Sequence, residues 1–465
     1  MLNGRGGLLL VIGALLLLPP STAAGQEMPE AVVGDGPIPF EMAHLDNGLR
    51  VILAPDPEAT AVAVNLWYDV GSRHERPGRS GFAHLFEHLM FEGSEYVESG
   101  EHMRLVERAG GQSNASITHD RTNYFQTVPP ERMNLALWLE AERLRNLDVT
   151  EENLRREVDV VKEERLMRVD NSPYGETLLE AQYYTAYDST ACFPYAHSVV
   201  GSPEDLDAAE LEDVHAFFET HYVPANATLT VAGGFDAETA WELVHEYFGP
   251  IPAGEEPDEV SCEDPFVHLP VSRELEDPNA NLPAFTAAYG AVPAHHEDAY
   301  ALHLLGGILG TGESSRLHQR LVREEQAALD VTVAPDLRRG PGVFIVFAVA
   351  NQGVEAESLQ EMVDQEVARV TEEGVTDAEL ERALNRRRAN EVLGRQDAMG
   401  RAESLQWYNH FHGTPEALQG DLERYEAVTA EDLQAIAARY LNPENRAAII
   451  TRPASAGAGE GGDEG

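Results

Sequence analysis

An internal repeat constrains the fold of this chain more than any other feature of its sequence. Residues 209–222 have the pattern of an amphipathic helix, which runs through a turn containing Pro and Asn into an apolar strand. Residues 431–440 repeat that pattern, again followed by a turn containing Pro and Asn and an apolar strand. The last residues of the two helices, Tyr222 and Tyr440, are 218 positions apart, which fits a whole domain rather than a solenoid unit. The chain is therefore predicted to be a duplicated domain.

Strand and helix patterns occur together in the N-terminal half. Two alternating apolar runs, 40–45 and 49–54, are joined by Asp46-Asn47-Gly48, and Asn-Gly favours the tight turn of a β-hairpin. A further strand is predicted at 61–68. Helical patterns follow over four segments, 82–91, 101–109, 130–146 and 151–169. Because strands and helices share one domain, the fold class is α+β or α/β.

Both ends of the chain carry segments that we expect to lie outside the folded domains. Residues 1–25 are predicted to be a signal peptide, because Arg5 precedes an unbroken apolar stretch at 8–18 and small residues follow it. That stretch is shorter than the roughly 20 residues of a membrane-spanning helix, although an uncleaved anchor stays open. The Gly- and Glu-rich residues 453–465 are predicted to be a disordered tail. The mature protein is thus expected in the periplasm or outside the cell.

A Pro-, Gly- and Glu-rich stretch divides the remaining chain. We assign residues 252–264 to a linker, because this composition disfavours both helix and strand. The N-terminal domain then covers 26–251 and the homologous C-terminal domain 265–452.

The chain is strongly acidic. Its 80 Asp and Glu residues against 33 Lys and Arg give a formal charge of -47, which excludes a nucleic-acid binder that acts through a general basic surface. Cys192 and Cys262 are the only cysteines. An exported protein permits a disulfide between them, but sequence does not decide whether they pair.

One segment carries recognisable chemistry, His84-Leu85-Phe86-Glu87-His88. On a helix, His84 and His88 stand at i and i+4 and project from one face, where two imidazoles can bind one zinc ion. Glu87 lies beside that ion, placed to take a proton from a metal-bound water. This H-x-x-E-H order is the inverse of the H-E-x-x-H zincin motif. We therefore predict His84 and His88 as metal ligands and Glu87 as the catalytic base.

A catalytic zinc site needs a third protein ligand. The helical segment that contains Glu157, Glu163 and Glu164 is the best source. Glu157 and Glu164 are two turns apart and share a face, whereas Glu163 points about 100° away from Glu164. Spacing alone does not decide which of these three residues is the third ligand. It also does not exclude that they simply form a solvated acidic face of the helix.

These segments together resemble the insulinase/pitrilysin family of zinc peptidases, the inverzincins, and most of all its short bacterial members related to mitochondrial processing peptidase. The resemblance covers nearly all of the mature chain. Its motifs are the Asp46-Asn-Gly hairpin, Gly71-Ser72 with Glu75, Gly81 to His88, Phe91-Glu-Gly93, Gly110-Gly111 to Asn114-Ala115, Thr122 with Tyr124, and Glu157 to Arg165. Glu164 lies 76 residues after His88, the spacing at which the family carries its third ligand. The resemblance thus implies Glu164 as the ligand and Glu157 as the acidic neighbour that supports the catalytic site, with Glu163 as the runner-up for the ligand.

The resemblance also implies a fold and a way of binding substrate. It implies two homologous α+β domains, each a mainly antiparallel sheet packed with helices. It further implies that residues 111–124 contain an edge strand that pairs with an extended peptide, with Asn114 and Ala115 near the scissile bond. Read without the family, Asn114 is a polar residue in a Gly-rich loop. Main-chain pairing of this kind accepts varied sequences.

The second half departs from the family pattern at one position. Arg323 matches the arginine of the family's substrate-binding Arg/Tyr pair, but Leu329 stands where the tyrosine is expected. Because leucine cannot donate a hydrogen bond, the chain is predicted to pair with a homologous subunit, in a homodimer or heterodimer, that supplies the Arg/Tyr pair.

The sequence therefore predicts an exported zinc metalloendopeptidase that hydrolyses unstructured peptides with one Zn²⁺ per chain. Two other interpretations stay open. One is a non-catalytic scaffold or assembly subunit of the same fold, and the other is a zinc-bound but inactive module that binds exported peptides.

Overall fold

The computed structural model describes residues 31–34, 36–262, 264–266 and 268–454. The predicted signal peptide at 1–25 and all but the first two residues of the predicted tail lie outside these ranges. No helix among the described residues combines the length and the apolar character needed to span a bilayer.

The N-terminal half is built on a seven-stranded sheet with the order β1-β2-β3-β7-β4-β6-β5. Its strands are β1 (Val32–Gly34), β2 (Phe40–His44), β3 (Arg50–Pro55), β4 (Val62–Tyr68), β5 (Gln112–Ile117), β6 (Thr122–Val128) and β7 (Ala227–Gly233). Only the β3–β7 pair is parallel. The predicted hairpin is β2–β3, and Gly48 in its turn has a φ of +86°, which glycine adopts without strain. The strand predicted at 61–68 is β4.

The described residues of the first half contain eight α-helices, most of which cover one face of this sheet. They are α1 (Phe82–Leu89), α2 (Glu101–Arg108), α3 (Met133–Asn146), α4 (Glu151–Arg165), α5 (Gln182–Ala186), α6 (Pro203–Asp207), α7 (Leu211–His221) and α8 (Ala237–Phe248). The four predicted helices are α1 to α4. The fourth is α-helical only to Arg165, because Leu166–Asp170 continues as a wider π-helical turn. The main core of this half lies between the sheet and these helices.

The C-terminal half repeats the arrangement around five strands with the order β10-β11-β9-β12-β8. These are β8 (Val271–Asp277), β9 (Ala284–Ala291), β10 (Ala328–Asp336), β11 (Gly342–Ala350) and β12 (Arg446–Pro453), and only β8–β12 is parallel. The helices are α9 (Asp298–Gly310), α10 (Ala356–Glu373), α11 (Asp377–Gly394), α12 (Ala398–His412), α13 (Asp421–Glu426) and α14 (Ala430–Tyr440). In both halves the repeated helix, α7 or α14, leads through a short 3-10 turn into a strand of the parallel pair, β7 or β12. The predicted duplication and fold class are confirmed.

The two halves exchange helices. Helix α12 of the second half packs on the other face of the first sheet, where Ala402 and Leu405 are buried against residues such as Ile52 and Ala63. Helix α5 of the first half packs in turn against β8, β9 and β12. Neither sheet would be covered on both faces by its own half.

A turn of the second half also docks on the first. Residues 338–341 lie in the connection between β10 and β11. The Arg338 guanidinium lies 4.5 Å from the ring centre of Tyr183 and 5.4 Å from that of Tyr195. The backbone N–H of Arg339 donates to Asp120 at 3.0 Å, and that of Gly340 donates to the Tyr195 hydroxyl at 3.0 Å. This turn therefore holds the tip of the β5–β6 hairpin, where Asp120 lies.

Cys192 and Cys262, whose pairing the sequence leaves open, form a disulfide. Cys192 follows α5 and is buried, and Cys262 lies in the predicted linker. The disulfide therefore ties the linker to the first half.

Candidate active site

Helix α1, which carries the H-x-x-E-H motif, is fixed at its first turn by a buried carboxylate. Glu75 accepts hydrogen bonds from the backbone N–H of Gly81 at 2.9 Å and of Ala83 at 2.7 Å. A ring nitrogen of His197, Nε2, lies 2.9 Å from the same carboxylate. A negative charge at this end satisfies free N–H groups and complements the helix dipole. Glu75 thus sets where α1 begins.

The structure brings His84, His88 and Glu164 together. One ligand atom from each of them lies within 4.8 Å of the others. The Glu164 Oε2 atom is 3.6 Å from His84 Nε2 and 3.4 Å from His88 Nε2. A tetrahedral zinc ion with metal–ligand distances of about 2.0–2.2 Å holds its ligand atoms about 3.3–3.6 Å apart. The donor set and its spacing therefore fit zinc.

The other acidic residues of α4 occupy different places. Glu157 is buried, and its Oε2 lies 3.5 Å from Nδ1 of His88, the ring nitrogen that faces away from Glu164. A carboxylate behind a histidine ligand is the usual way to fix the ring of a metal-binding imidazole. Glu163 is exposed and lies outside the cluster. Arg168, one turn beyond Glu164, contacts its second oxygen at 2.8 Å.

The charges of the cluster are arranged as a cation site. Burial lowers the pKa of His84, and its contact with His88 lowers that pKa further. Burial alone would also lower the pKa of His88, but the carboxylates of Glu157 and Glu164 outweigh it and raise the pKa to about 9. The contact with His88 holds the pKa of Glu164 below its ordinary value. The Glu157 and Glu164 carboxylates therefore flank His88 from its two ring nitrogens and favour a positive charge on that side chain.

Glu87 lies beside the cluster without belonging to it. Its side chain is partly buried, and burial raises the pKa of its carboxyl to about 7. Nearby His88 opposes that rise and Glu164 adds to it. A carboxylate with a pKa near neutrality can both accept and return a proton at working pH.

Strand β5 lies at the edge of the first sheet and pairs only with β6 among the described strands. The Thr118 N–H donates to the Arg121 carbonyl, so the main-chain groups of Thr118 face β6. In an antiparallel ladder every second residue faces the partner strand. The N–H and C=O groups of Ser113, Ala115 and Ile117 therefore face away from β6. The N–H of Ala115 is capped by the side-chain oxygen of Asn114 at 2.9 Å. This edge offers free main-chain groups to an extended peptide.

The structure does not bring Arg323 and Leu329 to the cluster. Arg323 lies in the π-helical segment His318–Glu324, and its side chain pairs with Glu313. Leu329 is exposed on β10. Within the described residues, His84, His88 and Glu164 form the one group with metal-ligand geometry, so the second half holds no comparable cluster.

Sequence reasoning missed three contributors to this site. Glu75 belongs to a recognised motif, but nothing in that motif gives its role. Its partner His197 is 122 residues away, so no local pattern connects them. Arg168 follows Glu164 by four residues on a helical pattern, a spacing that could have indicated the pair.

Comparison with known proteins gives consistent matches. The family model described as insulinase, peptidase family M16, matches residues 50–193, and the model described as peptidase M16 inactive domain matches residues 208–387. Zinc protease PqqE of Helicobacter pylori is 32% identical over 355 residues, which cover 74% of this chain and 77% of that protein. The crystal structure of a protease from Helicobacter pylori has a TM-score of 0.82 at 27% identity, covering 92% of this chain and 100% of the other. A peptidase M16 inactive domain from Pseudomonas fluorescens shares the fold, with a TM-score of 0.80 at 18% identity over 89% of this chain and 98% of the other.

Proposed function

Because this chain belongs to the insulinase family of peptidases, family M16, we propose that it is a zinc metalloendopeptidase that hydrolyses unstructured peptides. The observation that carries the proposal is the convergence of His84, His88 and Glu164 at zinc-ligand spacing. We assign these three residues as the ligands of one Zn²⁺, with Glu157 orienting His88. Zinc, when bound, supplies a Lewis acid that polarises the scissile carbonyl and acidifies a water.

The remaining steps belong to side chains of this chain. Glu87 takes a proton from the attacking water and delivers it to the leaving amine, so one carboxylate serves as general base and then as general acid. The exposed edge of β5 pairs with the peptide main chain, and Asn114 gives up its hydrogen bond to Ala115 when the peptide arrives. Pairing along the strand holds the scissile bond still beside Glu87.

Removing the proposed base tests this assignment. Glu87→Gln should lower kcat by at least about a hundredfold, since general base catalysis contributes roughly 10²–10⁴. It should keep one zinc per chain, whereas His84→Ala and Glu164→Gln should lose the metal. Glu163→Gln is the matched control, because the same change one residue away touches an exposed side chain. Loss of zinc from Glu87→Gln would show that its role is misassigned.

We further propose that the chain is exported and works with a homologous subunit. Export is supported by the signal-like residues 1–25, and the folded domains are proposed to be 26–251 and 265–452. The partner is supported by Leu329, which cannot replace the expected tyrosine donor. Full peptidase activity of the pure, monomeric chain would refute the need for a partner. If the zinc-loaded chain binds peptides but does not cleave them, either alone or together with homologues, the protein is instead an inactive binding module.

A further inference from the structure

Arg121 is an unusual arginine for so acidic a chain. Most of the described arginines that are buried or partly buried touch a carboxylate, as Arg73, Arg143 and Arg165 do. Arg121 is partly buried as well, but among the described residues its side chain forms hydrogen bonds only with Ser116 and Asn123. A buried guanidinium without an anionic partner is costly, so its retention calls for an explanation.

The Arg121 side chain is held in a fixed position. Its Nη1 donates to the Ser116 carbonyl at 2.8 Å, to the Ser116 hydroxyl at 2.5 Å and to Asn123 Oδ1 at 2.9 Å. Its guanidinium lies 4.7 Å from the centre of the Trp67 ring, at cation–π distance. The Nε and Nη2 groups have no hydrogen-bond partner among the described residues and are not closed off from solvent. The Nε and Nη2 donor groups are therefore held in a fixed direction and are free to bind a ligand.

The nearby carboxylates do not use those donors. Glu403 lies close by, but it accepts hydrogen bonds from Asn65 at 2.9 Å and Asn123 at 3.1 Å. Glu87, Glu403 and Asp120 act on the charge of Arg121 only through space, and burial lowers the pKa of Arg121 despite them. The protein leaves this positive charge undercompensated.

The position of Arg121 relates it to the peptide edge. Ser116, to which it is bonded, lies on β5 two residues after Asn114, so both side chains point to the same face of the sheet. A peptide that adds to β5 also alternates its side chains between the two faces, and every second one lies on the face that carries Arg121.

We propose that Arg121 forms a subsite that binds a carboxylate of the peptide substrate through its free Nε and Nη2 donors. The carboxylate is either an acidic side chain on the Asn114 face or the C-terminal carboxylate of a short peptide. Planar, two-donor recognition is what a guanidinium offers to a carboxylate. This inference rests on the proposed function, because it names the chemistry that the same cleft selects.

Cleavage of a matched peptide set tests the subsite. One quenched fluorescent peptide is made with a single Glu, Gln or Lys at each position in turn, with a free or an amidated C-terminus. Zinc-loaded wild-type chain should prefer Glu over Gln by about tenfold in kcat/KM at one position or at positions two apart, since a charge-assisted hydrogen bond is worth at least about one such factor. If the preference instead follows the free C-terminus and amidation removes it, the terminal carboxylate is the ligand.

Variants separate this role from a structural one. Arg121→Gln should lower cleavage of the Glu peptide to that of the Gln peptide, and it should leave the Gln peptide itself nearly unchanged. Arg121→Glu should shift the preference to Lys, and Arg121→Lys should keep part of the preference for Glu. Arg132→Gln removes the same charge from an exposed site of the same half and should change nothing. Equal losses for the Glu, Gln and Lys peptides in Arg121→Gln would mean that Arg121 only holds β5 in place, and would overturn the proposal.

Binding gives a second readout that does not need turnover. The dissociation constants of the Glu and Gln peptides are measured by fluorescence anisotropy on zinc-loaded Glu87→Gln chain, with and without Arg121→Gln. A tenfold preference for the Glu peptide that disappears with Arg121→Gln supports the subsite, even if wild-type chain cleaves no peptide. Absence of cleavage by wild-type chain would refute only the proposed peptidase activity. No Glu/Gln difference in binding or in cleavage at any position, with either terminus, overturns the subsite while leaving the peptidase intact.

Discussion

The buried contact between Glu75 and the first turn of α1 gives the sharpest prediction of how this site is held. The Glu75 side chain is fully buried and meets three donors, the N–H groups of Gly81 and Ala83 and the His197 ring. Glu75→Gln keeps the shape of the side chain but removes its charge and turns an NH₂ group toward one of these donors. The hydrogen bonds that remain no longer have a charged acceptor.

The cost of that change can be worked from the contacts. Hydrogen bonds to a charged group contribute about 1.5–3 kcal/mol each, and a buried donor left unpaired costs about 1–3 kcal/mol. One acceptor oxygen survives in glutamine, so we expect a loss of about 3 kcal/mol in the free energy of unfolding of the first half. For a domain of this size, that loss lowers Tm by roughly 6–12 °C.

We expect Glu75→Gln to affect zinc binding through the backbone of α1. His84 follows Ala83 directly, so a shift of the first turn moves one ligand against His88 and Glu164. Changes in groups that orient metal ligands typically cost 10–100-fold in metal affinity or activity. Glu75→Gln should therefore weaken zinc binding, measured by competition with a chromophoric chelator, about tenfold or more, and lower kcat/KM in parallel.

A second buried glutamate provides the control. Glu142 accepts hydrogen bonds from the Ser94 hydroxyl at 2.9 Å and the Tyr96 N–H at 3.1 Å, away from the start of α1. Glu142→Gln should lower Tm by a similar amount and leave zinc affinity unaltered. If Glu75→Gln behaves in the same way, with lower Tm but intact zinc affinity and kcat/KM, Glu75 contributes only to stability and the reasoning is refuted.

Three further outcomes can be measured on the same chain. Replacing both Cys192 and Cys262 by Ser opens a loop with a sequence separation of 70 and should cost about 4 kcal/mol in urea unfolding, so a change within experimental error would contradict the role of the disulfide. Gly340→Ala places a Cβ 2.5 Å from the Tyr195 ring and should lower stability by about 1–3 kcal/mol and raise KM, whereas Gly394→Ala, with open space around it, should be neutral in both assays. Burial lowers the pKa of His303 from 6.5 to about 4, so between these pH values the unfolded chain binds a proton that the folded chain does not. The free energy of unfolding should therefore decrease as the pH falls from about 6.5 to 4. His303→Gln should show a smaller decrease in urea titrations across that range.

Features that depend on neighbouring residues could be predicted from the sequence. The Asn47-Gly48 turn, the helices α1 to α4 and the repeated helix–turn–strand unit follow from local periodicity and turn chemistry. The spacing of His84 and His88 follows from helix geometry once α1 is accepted. Local periodicity fails at Leu166–Asp170, because a π-helical turn keeps the helical pattern while changing which residues share a face.

Contacts between distant segments could not be predicted in this way. The choice between Glu163 and Glu164 depends on how α4 lies against α1, and spacing along α4 leaves it open. Glu75 meets His197 across 122 residues, and Arg339 meets Asp120 across 219. Such pairs are set by the packing of whole elements, for which a single sequence carries no periodic signal.

These long-range contacts give the second half a structural role beside the candidate metal site, although its described residues hold no metal-ligand cluster. Among the described strands β5 pairs only with β6, so its outer edge gains no support from a second neighbour. The second half contacts the β5–β6 hairpin at two places. The turn 338–341 donates to Asp120 at the hairpin tip, and Glu403 of α12 accepts a hydrogen bond from Asn123 on β6. Pairing with a peptide loses conformational entropy for both strands, and an edge that is already fixed loses less of it. Under the proposed function, the duplicated half keeps β5 ready to bind a peptide, which is why Gly340→Ala, far along the chain from every proposed ligand, is expected to raise KM.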